Sequence, residues 1–531
     1  MQIFSLDPDK SNGLFWASME LKEIWIMNRR DFLGGAGLAP LSLFMPANFA
    51  RAQNTILSAE MLALSSYMGA AENQALPPEV LEQAKLHVLD TFAAIISGSE
   101  LLPGQAALRY IKLHGSRGSQ TVMASPFTSG AADAAMVNGV MGHADETDDS
   151  HGRSRSHPGC AVIPATFAVG EELNISGTHF LRAVTLGYDI GTRLLMAMGG
   201  PKFSYESHKS SHSIAGVFGA AASAGCAAGL NAQQMRWLLD YTAQQSSGIA
   251  SWGRDTDHIE KAFVFGGMPA KNGVISALLV HSGWNGVNDV FSGPDNYFLA
   301  TAPNPDRAQL TDKLGERFEI TQTDVKKWSV GSPIQGPLDA IENIRHKYPF
   351  DLSQVAAVRI RLEPAVAKVV DNRDMPDICL QYMAAVMLLD KTASFKAAHD
   401  IARMQNPEIL AMRSKIQLIP EPTLSQFLPV RVAIVEIQLK DGSILTERVD
   451  AVRGTPRNPM GRDEVVAKCQ DLMGPVLGKR QSNTLIEASL ALENAKSIKT
   501  ISPLLKKLVW GWRQMDLILI QSFLRRFSSV G

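Results

Sequence analysis

The sequence predicts a mainly α-helical protein in which a smaller α+β domain is inserted as a lid into a large all-helical domain. Between residues 53 and 296, apolar residues recur at steps of three and four, which is typical of packed helices. Alternation of apolar and polar residues, the pattern of a half-buried strand, appears only later, and helical patterns return after residue 457. We therefore expect an N-terminal extension with a signal peptide (1–52), a helical domain (53–296 and 458–500), a lid domain (297–457) and a tail (501–531).

The size and composition of the chain limit its function. Its 531 residues suffice for two or three domains, and 45% hydrophobic against 19% charged residues is ordinary for a soluble globular protein. The net charge is -1 and no basic patch interleaved with aromatic residues occurs, so we expect no nucleic-acid partner. None of the four cysteines forms a short metal-binding spacing, which predicts buried thiols and no structural zinc.

The first 52 residues resemble an export signal. The run NRRDFL at residues 28–33 is similar to the twin-arginine motif, and a modestly apolar stretch follows it. Ala50-Arg51-Ala52 then fits a small-residue cleavage site before Gln53. This order predicts a signal peptide and a periplasmic protein. Because such signals start a few residues before the arginines, Met27 is a hypothetical true start.

The helical domain is expected to consist of closely packed helices. Its first strong pattern spans residues 77–99, where proline opens the segment, Gly98 closes it, and one face is apolar. Further helices are predicted over 129–142, 157–173, 177–198 and 212–229. The last of these has almost no large side chain after Phe218, so its neighbours must approach nearly to backbone contact. Asn231 is predicted to cap the helix that follows.

The lid domain is where the sequence predicts strands. Residues 355–363 alternate as a strand, and residues 435–449 alternate around Asp441-Gly442, a tight hairpin signal. Residues 376–390 and 394–404 have helical patterns, as do 461–477 and 482–495 beyond the lid. The apolar run after residue 501 is too short to span a bilayer, so we expect no integral membrane domain. The tail is expected to be loosely docked or disordered, with a surface helix touching a membrane as the alternative.

The most unusual stretch is the loop at residues 139–160, GVMGHADETDDSHGRSRSHPGC. Four carboxylates occupy five positions there, between His143 and His151, and two arginines precede His157. Carboxylates this close repel one another in a helix or a strand, so the segment is expected to be a loop whose charges face a cleft or solvent. Because apolar segments flank it on both sides, we expect it to line a cleft.

Several short motifs occur along the chain in an order that is specific in combination. They are Leu89-Asp90-Thr91, Asn138-Gly139, His143, Asp148-Asp149-Ser150, His157-Pro158, Gly187-Tyr188, Gly216 to Ala222, Ala270-Lys271-Asn272-Gly273, Asn458-Pro459-Met460 and Glu464-Val465. Between about residues 57 and 495 the chain thereby resembles the MmgE/PrpD family, which includes 2-methylcitrate dehydratase, cis-aconitate decarboxylase and iminodisuccinate epimerase. The fold that this resemblance implies, a helical domain with an inserted α+β lid, agrees with the periodicity.

The resemblance implies removal of a proton next to a carboxylate of a small acid, without a metal or another cofactor. Loss of water, loss of carbon dioxide or return of the proton would follow. The matching candidate catalytic residues are Glu146, Ser150, His157, Lys261, Tyr382 and His212. Lys261 is offset by one residue from the family's substrate lysine and could be a surface lysine instead. Tyr382 matches a lid tyrosine that faces the cleft, but it could equally belong to a core.

Other positions depart from the family pattern. A family arginine that would pair with a carboxylate is Ser332 here, and a family histidine is Gln335. Ser210 stands at another family histidine, for which His212 could substitute unless it is a core histidine. These changes argue against both 2-methylcitrate and cis-aconitate as substrates. The candidate substrate-binding residues are Arg153, Arg155, Lys327, Asp149, Ser332 and Gln335. The two arginines are expected to compensate for the arginine that Ser332 replaces. Asp149 could have a structural role instead.

Two other function classes remain open from the residues alone. The His, Asp and Glu cluster could bind Mg, Mn or Zn in a metal-assisted hydrolase, although none of its spacings is a recognised ligand pattern, so we expect no metal. Alternatively, the loss of carboxylate-binding residues could leave a protein that binds a ligand without converting it. The family resemblance also implies a homodimer.

Overall fold

The computed structural model describes residues 57–507. The predicted signal peptide and the part of the tail beyond residue 507 lie outside the described residues. The first part of the described chain is helical, with α1 (Ala59–Ala70), α2 (Pro78–Gly98), α3 (Leu102–His114), α4 (Ala131–Gly142), α5 (Gly159–Leu173), α6 (Gly177–Ala197), α7 (Gly200–Glu206), α8 (Ser211–Ala227), α9 (Ala232–Gln245), α10 (Ile259–Ala262), a π-helix (Phe263–Gly267), α11 (Met268–His281) and α12 (Tyr297–Thr301). A two-residue ladder, β1 (Gln120–Thr121) with β2 (Thr128–Ser129), also lies there, where the sequence predicted no strand. Two residues are too few to show a period of two.

Glycine and alanine bring the helices of this part into close contact. A Cβ added at Gly191 of α6 would lie 2.3 Å from the carbonyl oxygen of Ala215 in α8, and one at Gly187 would lie 2.8 Å from that of Gly219. The backbones therefore touch, as the small residues of α8 predicted. Asn231 caps α9 with a capping box, its side chain accepting from the backbone of Gln234, which confirms the predicted cap.

The lid contains the predicted strands and helices. A four-stranded sheet has the order β4-β3-β5-β6, with β3 and β4 parallel and the other pairs antiparallel. Its elements are α13 (Ser332–Lys347), β3 (Val355–Leu362), α14 (Pro364–Val370), α15 (Leu380–Asp390), α16 (Phe395–Ala398), α17 (Pro407–Arg413), β4 (Ile416–Pro420), β5 (Ala433–Leu439) and β6 (Ile444–Val449). Gly442, at a φ of +91°, turns the hairpin between β5 and β6 as predicted. The short strand β4 was not predicted.

Two hydrophobic cores divide the described chain. The lid core runs from Trp328 to Val452, and the helical core takes the segments on either side of it. The sequence placed the start of the lid at residue 297, whereas residues from Tyr297 to Val325 pack in the helical core. That core also receives α18 (Arg462–Leu477) and α19 (Lys479–Leu490), the two helices predicted beyond the lid. The beginning of the predicted tail, through Leu505, is buried there as well.

One long helical stretch raises the question of a membrane span. Within the described residues, Ile259–His281 is long and apolar enough to cross a bilayer. Most of its apolar window is buried inside the protein, which is the pattern of a core helix.

Candidate active site

A cavity of about 430 Å³ is lined by residues of both the helical part and the lid. The helical part contributes the acidic loop, His212 of α8 and the segment from Trp252 to Phe265. The lid contributes the N-terminal end of α13, most of α14 and the chain around Arg431. The loop at 139–160 therefore lines a cleft, as its composition and flanks predicted, and it is buried rather than solvated.

Asp148 joins two histidines in this loop. Its carboxylate accepts from Nδ1 of His143 at 2.9 Å and from Nδ1 of His157 at 3.1 Å, and all three residues lie in buried surroundings. Burial alone would raise the pKa of Asp148, but the two histidines hold it well below its usual range. Since Nδ1 of the neutral His157 ring donates to the carboxylate, its Nε2 carries the lone pair. His157 lines the cavity and is thus oriented as a base.

Glu146 is ionised and paired with two lysines. Lys261 Nζ donates to its Oε1, while Lys326 Nζ lies 3.8 Å from Oε2 and donates to the backbone oxygen of Glu146 at 2.7 Å. Burial opposes ionisation, yet the two ammonium groups keep the pKa of Glu146 well below its usual value. Lys261 is therefore a cavity residue and not a surface lysine, and Glu146 is a carboxylate near neutral pH.

A π-helix lies next to Lys261. It spans Phe263–Gly267, between Lys261 and α11, whose Ala270-Lys271-Asn272-Gly273 matches the family motif. A π-turn holds one residue more than an α-turn. Such turns are frequent at functional sites.

Two histidines stack on Phe265, a residue of the cavity lining. His212 stacks on its ring with centroids 3.8 Å apart, and His143 stacks on it at 4.5 Å. Burial, together with nearby cations, holds the pKa of His212 and of His258 well below the usual value, so both rings are neutral. Among the described residues, Nδ1 of His212 and Nε2 of His258 are buried without a hydrogen-bond partner.

His157 is also neutral near pH 7. Burial lowers its pKa more than Asp148 raises it. Ser150 and Ser332 line the same cavity, and the Ser150 backbone is fixed by two hydrogen bonds with Asp324, at 3.1 and 2.8 Å. Of the predicted catalytic residues, the structure thus brings Glu146, Ser150, His157, His212 and Lys261 together. Their catalytic roles stay predictions.

Five predicted site residues lie outside this cavity. Tyr382 is fully buried in the lid core, and its hydroxyl donates to the backbone oxygen of Ala397 in α16 at 2.8 Å, so it belongs to a core and does not face the cleft. Asp149 accepts from His87, Tyr188 and the backbone of Gly159, which makes it a buried structural carboxylate.

The remaining three serve other contacts. Gln335 is buried and binds the backbone of Trp328 and Val330, so it shapes the loop before α13. Lys327 pairs with Glu342 on the outer side of that helix. Arg153 is turned toward Gln309, with 44% of its side chain exposed. It therefore does not compensate for Ser332, whereas Arg155 does line the cavity.

Several residues at this site were not predicted from the sequence, among them His258, Lys368, Arg373 and Arg431 in the cavity lining and Lys326 beside Glu146. His258 and Arg431 occur in no motif, and they reach the cavity from segments distant in sequence. Lys326 opens the segment that matches the family's lysine-containing run, and that match was the signal that could have identified it. For His258 and Arg431, only the tertiary structure shows that they belong to the site.

Two groups of side chains have the spacing of metal ligands. They are His143 with Asp148 and His157, and His143 with Glu146 and His258. However, Lys326 Nζ lies 3.8 Å from both carboxylates, and Lys261 pairs with Glu146. Two ammonium groups at this distance repel a divalent cation, so the site is better suited to an anion.

Comparison of the sequence with known proteins identifies its family. The family model of the MmgE/PrpD N-terminal domain matches residues 62–309, and that of the C-terminal domain matches residues 328–494. A cis-aconitate decarboxylase of Aspergillus terreus is 25% identical over 467 residues, covering 82% of this chain and 92% of the relative. The human cis-aconitate decarboxylase is 26% identical over 459 residues, covering 81% and 91%. The chain belongs to the MmgE/PrpD family and is a lyase-type enzyme.

Proposed function

We propose that the protein is a cofactor-independent lyase or isomerase that removes a proton next to a carboxylate of a small carboxylic acid. The observation that carries the proposal is the juxtaposition, in one cavity, of the His157–Asp148 pair with the Glu146–Lys261 pair. One pair supplies a neutral imidazole held by a carboxylate, and the other supplies an ammonium group beside an ionised carboxylate. Together they provide a base and a cation for the developing negative charge.

The proposed step moves one proton and one electron pair. Nε2 of His157 takes the proton from the substrate carbon, and the electrons of the C–H bond move into the adjacent carboxylate. The imidazolium that forms is stabilised by Asp148, which already accepts from Nδ1. Lys261 offsets the second negative charge on the carboxylate. The proton then returns to carbon, or protonates a departing hydroxyl group so that water leaves.

The relatives support a lyase and leave the substrate open. Those named above are cis-aconitate decarboxylases, and their identity to this chain is 25 to 26%. Ser332 and Gln335 stand where the family pattern has an arginine and a histidine, and Gln335 is used inside the lid. We therefore propose the proton-transfer step and not the relatives' own substrate. Dehydration and epimerisation are two outcomes of that step. Decarboxylation would use the same pair in the opposite direction: carbon dioxide leaves, its bonding electrons stay on the substrate, and protonated His157 gives a proton to carbon.

The proposal is tested by exchange of a substrate proton with solvent. A panel of di- and tricarboxylates is incubated with the protein in D₂O, and deuterium at carbon is followed by NMR. We expect exchange or turnover with at least one acid, and a loss of about 100-fold or more in the His157→Gln variant. Thermal unfolding of that variant should change little, because the glutamine NH₂ group can donate to Asp148 as Nδ1 does, and Nε2 has no hydrogen-bond partner among the described residues. Equal losses of activity and stability would mean a structural histidine, and no exchange with any acid would mean a binding protein.

The metal-assisted hydrolase is the second candidate. The spacing of His143, Glu146 and His258 favours it, and the two lysines oppose it. Metal analysis of the purified protein, with activity measured before and after chelation, separates the two functions. Stoichiometric bound metal together with chelation-sensitive activity would replace the first proposal.

Export and dimerisation belong to the same proposal. The twin-arginine motif at residues 28–33 supports export to the periplasm, with cleavage before Gln53. Sequencing the N-terminus of the protein from a periplasmic fraction tests this, since an uncleaved N-terminus in the cytoplasm would contradict it. Light scattering of the purified protein tests the homodimer.

A further inference from the structure

Two arginines face the cavity from opposite parts of the fold. Arg155 comes from the acidic loop and Arg431 from the lid, in the segment that leads into β5. The positive charge of Arg431 contributes to the lowered pKa of Arg155, after burial as the largest cause, so the two guanidinium groups are close enough to repel each other. Burial likewise lowers the pKa of Arg431. Two positive charges that are close together and partly buried repel each other and have lost their hydration, so an anion bound to both would stabilise them.

Arg155 is held in place by several contacts. Its backbone has a φ of +50°, which is uncommon for a residue with a side chain and is often found at functional sites. Its guanidinium donates to Oγ of Ser204 at 3.2 Å and lies 3.9 Å above the ring of Tyr205, and its backbone oxygen accepts from Ser211. None of these partners carries a negative charge. The side chain is thus fixed while its charge is left uncompensated.

Arg431 lies over the face of α13 on which the family's arginine would stand. Ser332 and Gly336 are one turn apart on the same face of this helix. A Cβ at Gly336 would lie 3.7 Å from the backbone oxygen of Arg431, so the small residues let the Arg431 segment approach. Ser332 and Arg431 also line the same two neighbouring cavities. Arg431 of the lid therefore lines the same cavities as the position where the family has an arginine on α13.

Two of the acids near this pair are already engaged. Glu146 is paired with Lys261, and Asp255 accepts from the backbone of Lys261 and of Asp257. Asp324 is the acid whose charge acts most on Arg431, but within the described residues no carboxylate lies within ion-pair distance of either arginine. The cavity thus has Lys261 beside the proposed base and, apart from it, Arg155 and Arg431, while Lys368 and Arg373 of the lid also belong to its lining.

We propose that Arg155 and Arg431 together bind a carboxylate of the substrate other than the one next to the reacting carbon. Arg431 then takes the place of the arginine that the family carries at position 332, and the substrate is at least a dicarboxylate. This inference rests on the proposed function for the identity of the reacting end. Arginine suits the role because its planar fork can form two parallel hydrogen bonds with a carboxylate.

The test compares two ligands that differ by one carboxylate. Succinate and butyrate share a four-carbon chain, but butyrate has a methyl group in place of one carboxylate. Isothermal titration of the full protein is expected to show about tenfold or tighter binding of succinate. The Arg431→Gln variant should lose most of this preference and keep its affinity for butyrate. Arg431→Lys should recover only part of it, because an ammonium group cannot form the two parallel bonds.

Three further variants make the result specific. Arg359→Gln changes an arginine of β3 that bonds to Gln438 outside the cavity, and it should keep the full preference for succinate. Adding Ser332→Arg to the Arg431→Gln variant should restore the preference by rebuilding the family's arrangement. His157→Gln should keep the preference while it loses proton exchange. Unliganded Arg431→Gln should unfold at nearly the wild-type temperature, because one of two repelling charges is removed.

The outcomes separate this inference from the proposed function. An unchanged preference in Arg431→Gln, an equal loss in Arg359→Gln, or no preference in the wild-type protein would overturn the carboxylate site. Proton exchange that does not depend on Arg431 would overturn the site and leave the proposed function standing. A preference that depends on Arg431, without exchange on any acid, would support the site and refute the function.

Discussion

Replacement of Asp148 by asparagine separates the chemical role of this carboxylate from its structural role. Asp148 accepts from Nδ1 of both His143 and His157, at 2.9 and 3.1 Å, and it is fully buried. The asparagine side chain has nearly the same shape but only one accepting oxygen, and its NH₂ group would face the second imidazole as a donor. That ring must then accept, which moves its proton from Nδ1 to Nε2.

The size of the effect follows from these bonds. A hydrogen bond to a charged group contributes about 1.5–3 kcal/mol, against about 1 kcal/mol for a neutral one, and both bonds of Asp148 lose the charge, so the free energy of unfolding should fall by about 2 kcal/mol. A proton on Nε2 of His157 removes the proposed base, and positioned acid–base catalysis contributes about 100- to 10,000-fold. Turnover should therefore fall by at least about 100-fold, or about 3 kcal/mol in activation free energy.

The matched control is the neighbouring residue. Asp149 is equally buried and accepts from His87, Tyr188 and Gly159, all outside the cavity. Asp149→Asn should cost a similar amount of stability in urea unfolding but retain turnover within about tenfold. Turnover of Asp148→Asn within tenfold of the wild type would refute the assignment of His157 as a base oriented by Asp148. Equal losses of turnover in both variants would refute it as well.

Three other predictions follow from the same contacts. Lys261→Met removes a cation that keeps Glu146 ionised, so the pKa of Glu146 should rise and the acidic limb of the pH–rate profile should move to higher pH. The value of kcat/KM should fall about 100-fold, and an unmoved limb would contradict this prediction. Burial would lower the pKa of His399, but Asp145, 3.0 Å away, raises it to about 9. This shift stabilises the folded protein by about 3 kcal/mol below about pH 6.5, and the stabilisation is lost as the pH rises through about 9. In urea unfolding at pH 6, 8 and 10, the free energy of unfolding of His399→Gln should therefore fall less with rising pH than that of the wild type. Tyr382→Phe should lower stability by about 1 kcal/mol and leave turnover unchanged, and a large loss of turnover would return Tyr382 to the active site.

Much of the fold could be predicted because local patterns specify helices and hairpins. The amphipathic segment of α2 and the Asp441-Gly442 turn depend on neighbouring residues in the chain, and both appear in the structure. The short strand β4 carries too few residues for its period to be read, and it forms because β3 lies beside it. Residues from Tyr297 to Val325 belong to the helical core because of what they pack against, which no local pattern records.

The site was predictable as a region and less so as a set of residues. The composition of the loop at 139–160 indicated a cleft, and the family pattern singled out Glu146 and His157, both of which line the cavity. The sequence could not separate Lys261 from a surface lysine, because its partner Glu146 lies 115 positions away in the chain and meets it only in the folded protein. Arg431 was not predicted because its own segment contains no chemical motif.

The two adjacent aspartates of the loop show where the sequence stops and the tertiary structure begins. From the sequence alone, the loop had the composition of a site rich in proton carriers, and its flanks were buried helices, because composition and periodicity are local properties of the chain. Only the fold turns Asp148 toward the cavity histidines and Asp149 toward His87 and Tyr188. Consecutive side chains leave the backbone in different directions, and the helices packed around the loop decide which neighbours each one meets.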